Sequence, residues 1–91
     1  MKKKLFEEMV ALVEEAGLEV RPYPAQYLIN VKDSDEIIQS YYTSTGTAIF
    51  RDCNDKWKQK RKTFRNFPFE RFLILCKGDT EDDILDFFEE E

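Results

Sequence analysis

The start of the chain alternates apolar and acidic positions at helical spacing. Apolar side chains recur every three or four residues between residues 3 and 16, and glutamates occupy many of the positions between them. Gly17 follows directly, and a glycine at that point can take the left-handed conformation that ends a helix. The pattern predicts an amphipathic helix over residues 3–16.

The next segments alternate with the period of a β-strand. Leu18 and Val20 predict a short strand that Pro22 and Pro24 end, because proline cannot donate a hydrogen bond to a sheet. Residues 26–31 then alternate apolar and other side chains, which predicts a second strand.

The run from residue 36 to residue 52 carries the clearest hairpin signal. A three-residue loop over residues 44–46, with Gly46 in the left-handed conformation, predicts a register in which Tyr41 lies opposite Ile49. Both side chains then point away from the helices, and we expect a ligand or a second subunit to cover them. The face predicted to pack under the helices consists of Ile38, Tyr42, Ala48 and Phe50.

The second half of the chain predicts one more strand and two helices. Residues 57–65 favour an edge strand over the alternative of a capped helix. A helix opens at Pro68 and is closed by Gly78, and Thr80 begins a last short helix. The chain therefore predicts a single α+β domain over residues 1–91. Its N-terminal helix precedes a four- or five-stranded, mainly antiparallel sheet, and two short C-terminal helices follow, with the helices on one face.

The amino-acid composition indicates a single core and argues against metal sites and membrane spans. The 91 residues are 42% hydrophobic and include eight Phe, which is enough to fill one core. The absence of His removes a common metal ligand and the usual general base, and Cys53 and Cys76 are too far apart in the chain to suggest a metal site. No stretch approaches the roughly 20 apolar residues of a membrane span. We predict a cytoplasmic protein with free thiols, no metal and no cofactor.

Charge is segregated along the chain. Residues 51–65 hold seven basic and two acidic side chains, a local net charge of +5, whereas the whole chain carries −5. Aromatic rings interrupt the cations, a combination that suits an anionic and planar ligand. The predicted ligand-binding residues are Tyr41, Arg51, Trp57, Lys58, Lys60, Arg61, Lys62 and Arg65, with Lys58, Lys60 and Lys62 in one row along the strand.

Two plainer explanations of the basic segment stay open. It could pair with the acidic end of the chain, or it could be an edge strand whose charges only prevent association. The acidic end itself, residues 79–91, holds eight carboxylates among its thirteen residues. Such a segment could occupy a basic groove on another protein, or it could be a solvated amphipathic helix.

Catalytic residues are not predicted. Asp52 and Asp55 stand beside lysines, as two carboxylates would in a metal-dependent nuclease, but their positions are explained by turn formation. The serines have no base beside them, and Cys53 has no His partner. We predict that the protein is not an enzyme.

The central hairpin resembles an arrangement found in small uncharacterised bacteriophage and prophage proteins. The resemblance rests on residues 41–50, 62–66 and 69–75, roughly the middle third of the chain. It implies a compact binding protein in the host cytoplasm that sequesters a nucleotide signal of host defence or blocks a host effector.

Together these observations predict a small, homo-oligomeric, non-enzymatic binding protein. It would capture a phosphate-bearing ligand, either a nucleotide or a nucleic acid, with the basic strand of residues 58–65 and the face around Tyr41. The alternative is a protein-protein inhibitor that engages a basic host protein through its acidic C-terminal helix.

Overall fold

The computed structural model describes residues 2–53, 55 and 57–78. Within them the elements are helix α1 (Lys2–Glu15), strands β1 (Glu19–Tyr23), β2 (Leu28–Lys32), β3 (Ile38–Tyr42), β4 (Thr47–Arg51) and β5 (Arg61–Phe64), and helix α2 (Phe69–Lys77). The strands form one antiparallel sheet in chain order. The predicted α+β class, with a helix before and after the sheet, is confirmed. The predicted last helix, from Thr80, lies outside the described residues.

Helix α1 ends at Gly17, as predicted. Gly17 has a φ of +82°, its N–H donates to the carbonyl of Glu14 at 3.0 Å, and the N–H of Leu18 donates to the carbonyl of Val13 at 3.3 Å. This is the paired arrangement in which a left-handed residue satisfies the last carbonyls of a helix. A glycine takes this φ without the steric cost that a side chain would add.

Strand β1 includes Pro22 and ends directly before Pro24, so of the two prolines predicted to end it only Pro24 does so. Pro22 lies opposite Ile29, and β1 pairs with β2 alone. An edge strand tolerates proline because only one of its sides takes part in the sheet.

The predicted register of the β3–β4 hairpin is wrong by one residue. Tyr41 lies opposite Ala48 and not Ile49, because the turn holds four residues and is closed by a hydrogen bond from the N–H of Gly46 to the carbonyl of Tyr42. A shift of one residue turns every side chain of one strand to the other face. Tyr41 therefore faces the helices and is only 3% exposed, whereas Tyr42 points away from them.

The core lies between the sheet and the two helices and is rich in aromatic rings. Phe72 of α2 is fully buried, with its ring centroid 5.1 Å from that of Tyr41 and 5.5 Å from that of Phe50. The hydroxyl of Tyr41 donates to the carbonyl of Phe67 at 2.5 Å. Phe6 of α1 belongs to the same buried cluster. Both described helices therefore cover one face of the sheet, as predicted.

The end of α2 is attached to the turn between β2 and β3. The N–H of Ser34 donates to the carbonyl of Cys76 at 2.9 Å, and Gly78 follows with a φ of +72°. A Cβ atom at Gly78 would lie 2.7 Å from the Ser34 hydroxyl oxygen. The glycine is favoured by its backbone conformation, whereas the exposed Ser34 hydroxyl could rotate away from an added Cβ atom. In the described part of the chain, no helix has the length and apolarity to cross a membrane.

Cys76 gives the fold a dependence on alkaline pH. Burial raises the pKa of its thiol above the ordinary value of 9.0, and the negative charge of Asp33 raises it further. The unfolded chain therefore loses this proton at a lower pH than the folded chain does. Above about pH 9 unfolding releases a proton, and the free energy of unfolding falls by up to about 1.4 kcal/mol per pH unit for one such group.

We expect Cys76→Ala to have a shallower loss of stability than the wild type between pH 9 and pH 10.5, measured by urea unfolding. Burial also raises the pKa of Tyr41, so a residual slope should persist near pH 10. Cys53→Ala is the matched control, because Cys53 is not fully buried. Equal slopes in wild type and Cys76→Ala would contradict this assignment.

Candidate ligand-binding site

The side of the sheet opposite the two helices carries Arg51 and Arg61 of the candidate residues, and we call it the open face. Within the described residues no helix packs on it. Strand alternation and register place on it the side chains of Glu19, Arg21, Tyr23, Leu28, Asn30, Lys32, Ile38, Ser40, Tyr42, Thr47, Ile49, Arg51, Arg61 and Thr63. Four of these side chains are cationic and one is a carboxylate, so the open face is basic although the whole chain is acidic.

Arg51 is held on the open face by a chain of hydrogen bonds across three strands. Its Nη1 donates to the hydroxyl of Ser40 at 2.8 Å and to the carbonyl of Ile38 at 3.1 Å. The Ser40 hydroxyl in turn donates to the Oδ1 of Asn30 at 2.7 Å. A guanidinium has five N–H donors, and these bonds use only those of Nη1. Among the described residues the remaining donors of Arg51 have no hydrogen-bond partner, which leaves them available to a ligand.

The backbone of Arg51 is fixed by Gln39, which is fully buried. The side-chain amide of Gln39 accepts the N–H of Arg51 at 2.6 Å and donates to its carbonyl at 2.9 Å. The same amide nitrogen donates to the Oδ2 of Asp33 at 2.9 Å. The amide thus takes the place of a backbone partner on β3 and sets the position of Arg51 from the core side.

Arg51 and Arg61 form a pair of like charges on neighbouring strands. The register places them directly opposite each other. Burial lowers the pKa of the Arg51 guanidinium, the positive charge of Arg61 lowers it further, and Tyr42 acts in the opposite direction. Among the described residues neither arginine pairs with a carboxylate. Like charges opposite each other are unfavourable, and an anion bound between them would relieve the repulsion.

The connection between β4 and β5, which joins Arg51 to Arg61 along the chain, carries an exposed aromatic ring. Trp57 is 95% exposed, and its N–H donates to the Oδ1 of Asp55 at 2.9 Å. The N–H of Lys60 donates to the Oδ1 of Asp52 at 2.8 Å. Both aspartates therefore shape the turn, which is the explanation that the sequence favours for them.

The structure separates the predicted ligand-binding residues into four groups. Arg51 and Arg61 come together on the open face, and Arg65 follows β5 at one end of that face. Trp57, Lys58 and Lys60 are exposed in the connection that leads into Arg61. Lys62 lies opposite Phe50 and so belongs to the helical side of the sheet. Tyr41 is buried in the core.

Two of the predictions about where these side chains lie are therefore wrong. The strand begins at Arg61 and not at Trp57, so Lys58, Lys60 and Lys62 do not form one row along it. Tyr41 does not line an exposed face, because the four-residue turn exchanges it with Tyr42. These corrections leave the basic and aromatic character of the surface in place, with Tyr42 where Tyr41 was expected.

Sequence reasoning missed the contribution of the first two strands. Arg21 lies opposite Asn30, and Lys32 lies on the same side, paired with Glu19 at 3.8 Å. The alternation of β2 could have revealed this contribution, because Asn30 and Lys32 alternate with the buried Ile29 and Val31 and so lie on the opposite side of the sheet. Their relation to Arg51 depends on strand order, which alternation alone does not give.

Comparison of the chain with protein-family models, with curated proteins and with solved structures found no match.

Proposed function

We propose that the open face binds single-stranded nucleic acid and that the protein acts by binding and not by catalysis. The observation that carries this proposal is the pair of opposed arginines, Arg51 and Arg61, without a carboxylate partner among the described residues. A protein gains nothing in stability from such a pair, whereas a phosphate that contacts both guanidiniums gains charge-assisted hydrogen bonds.

The arrangement of the cations suits a ligand with more than one phosphate. Lys32, Arg51 and Arg61 lie on β2, β4 and β5, and neighbouring strands are about 4.8 Å apart. The cations are therefore distributed across the sheet, transverse to its strands. A polyanion laid in this direction would meet them in succession, whereas an isolated phosphate would meet only one or two.

Aromatic rings on and beside the open face favour a single strand over a duplex. Tyr23 and Tyr42 lie on this face in register with Leu28, four positions along β2 from Lys32, and the exposed Trp57 lies in the connection that follows Arg51. Bases stack on such rings with about 1 to 3 kcal/mol each, and they can do so only when their own faces are free, as in a single strand. The residues of this face form an open sheet surface, which suits an extended ligand better than an enclosed mononucleotide.

The test is the salt dependence of binding to labelled single-stranded DNA and RNA 12-mers, measured by fluorescence anisotropy. Arg61 is exposed and makes no hydrogen bond through its side chain within the described residues, so Arg61→Gln should fold normally. We expect it to weaken binding by about three- to tenfold at low salt and to reduce the slope of log K against log salt by about 1.

Arg71→Gln is the control for this experiment. It removes the same charge from α2, on the helical side, where Arg71 lies over the ring of Phe67. We expect its affinity and salt slope to match those of the wild type. A wild-type protein that fails to bind either 12-mer at low salt, or an Arg61→Gln protein with an unchanged slope, would refute the proposal.

The biological setting proposed for this binding rests on the resemblance to bacteriophage proteins. In that setting the protein would sequester a nucleic acid or nucleotide of the host cytoplasm. A second proposal is that the acidic segment after Gly78, as a further C-terminal helix, inhibits a basic host protein. That segment lies outside the described residues. Assembly into a homo-oligomer also stays a prediction. The surface expected to contact a second subunit included Tyr41, which is buried in the core.

A further inference from the structure

A small cleft lined by polar residues lies where the open face meets the β3–β4 turn. Its volume is about 330 Å³, and it is lined by Thr45, Thr47, Thr63, Arg65 and Asn66. Every one of these side chains offers a hydrogen-bond donor, and none is a carboxylate. Such a lining is suited to an anion and unsuited to a metal ion.

The two walls of the cleft are held in place by the backbone. The N–H of Phe67 donates to the carbonyl of Gly46 at 2.9 Å, which joins the hairpin turn to the segment after β5. Gly46 and Asn66 both have a positive φ, +71° and +54°. The hydroxyl oxygens of Thr45 and Thr47 lie 2.8 Å apart. The donors therefore line a cleft whose backbone is already folded before a ligand arrives.

Arg65 supplies the positive charge of this cleft. It is exposed, and within the described part of the chain it forms no ion pair. Thr47 and Thr63 belong to the open face as well as to the cleft. The cleft is therefore continuous with the surface assigned above to the nucleic acid, and it lies at the end of that surface away from the Arg51–Arg61 pair.

We propose that this cleft binds the terminal phosphomonoester of the nucleic acid that lies on the open face, an inference that rests on the function proposed above. A terminal phosphate carries a charge of about −1.5 to −2 and three acceptor oxygens, whereas an internal phosphodiester carries a single charge. The hydroxyls of Thr45 and Thr47 hydrogen-bond each other, so one of them donates within the pair, and the guanidinium fork of Arg65 with the two remaining threonine hydroxyls matches the larger number of acceptors. The 5′ and 3′ phosphates share this chemistry.

The experiment compares three versions of one 12-mer, with a 5′ phosphate, with a 3′ phosphate, or with hydroxyls at both ends, by fluorescence anisotropy. We expect one of the phosphorylated forms to bind about tenfold more tightly than the hydroxyl form, as expected for charged hydrogen bonds. Arg65→Gln should abolish this preference, and Thr63→Val, which keeps the shape of the side chain, should reduce it. Each variant is assessed by the ratio of its affinities for the phosphorylated and hydroxyl forms, so that a general loss of affinity at the open face cancels, and Arg71→Gln should keep the wild-type ratio.

A second measurement separates this inference from the proposed function. Inorganic phosphate is titrated into the ¹⁵N-labelled protein, and we expect the amide signals of Thr47, Thr63 and Arg65 to shift in the wild type and not in Arg65→Gln. If no 12-mer binds but these signals shift, the proposed function fails and the cleft assignment stands. If the hydroxyl form binds as tightly as both phosphorylated forms and inorganic phosphate shifts no signal near the cleft, the cleft assignment is overturned while the open face keeps its role.

Discussion

Replacing Gln39 with leucine is expected to lower the free energy of unfolding by about 3 to 5 kcal/mol. Leucine would fill a similar volume but would leave three groups without their partner: the N–H and the carbonyl of Arg51, and the Oδ2 of Asp33. Gln39 is fully buried, so water cannot replace the lost bonds without opening the core. Urea unfolding followed by circular dichroism measures the change.

Gln26→Leu is the matched control for this substitution. Gln26 lies in the exposed turn before β2, and the same replacement there should change the free energy of unfolding by no more than about 0.5 kcal/mol. Because Gln39 also fixes the backbone of Arg51, the protein that remains folded should bind the 12-mers less tightly. Equal stability of the two leucine variants would show that the amide of Gln39 does not support the sheet.

Phe72→Ala is expected to cost about 3 to 5 kcal/mol, the usual range for a large aromatic side chain lost from a core. Phe72 is fully buried and contacts the rings of Tyr41, Phe50 and Phe69. A domain of this length has a total stability of about 5 to 14 kcal/mol, so the substitution removes a large part of it. The unfolding midpoint in urea should fall accordingly.

Trp57→Ala provides the contrast to Phe72→Ala. Trp57 is 95% exposed, so its loss should leave the free energy of unfolding within about 0.5 kcal/mol of the wild type. If its ring stacks on a base, the same variant should bind the 12-mers about tenfold more weakly. A Trp57→Ala protein that is destabilised as much as Phe72→Ala would mean that this ring packs on the protein, and unchanged affinity would remove it from the binding surface.

The helices and most strands could be predicted because their signals are local. Helical spacing and Gly17 located α1, and strand alternation located the central strands. The register of the hairpin could not be predicted in the same way, because turns of three and four residues both accept Gly46 in the left-handed conformation. What distinguishes them is distant in the chain: the four-residue turn lets Tyr41 reach Phe72 and the carbonyl of Phe67.

The candidate site was predictable in composition and less so in arrangement. The charge count of residues 51–65 correctly marked a basic segment, but the side to which each cation points depends on where β5 begins. The side chains of Asp52 and Asp55 accept hydrogen bonds from the backbone of the connection, so this segment forms a turn and the strand starts only at Arg61. The predicted register that turned Tyr41 outward also turned Gln39 outward, two positions earlier on the same strand, so the role of Gln39 depends on partners, Asp33 and Arg51, that are known only from the structure.

The strand order has a consequence for the rate of folding. Each strand pairs with the next one along the chain, and the connections hold 4, 5, 4 and 9 residues. Short loops cost little entropy to close, so each hairpin can form independently of distant parts of the chain. The packing of Phe72 against Tyr41 joins residues that are 31 positions apart in the chain. We therefore expect the formation of this contact, and not strand pairing, to limit the rate of nucleation.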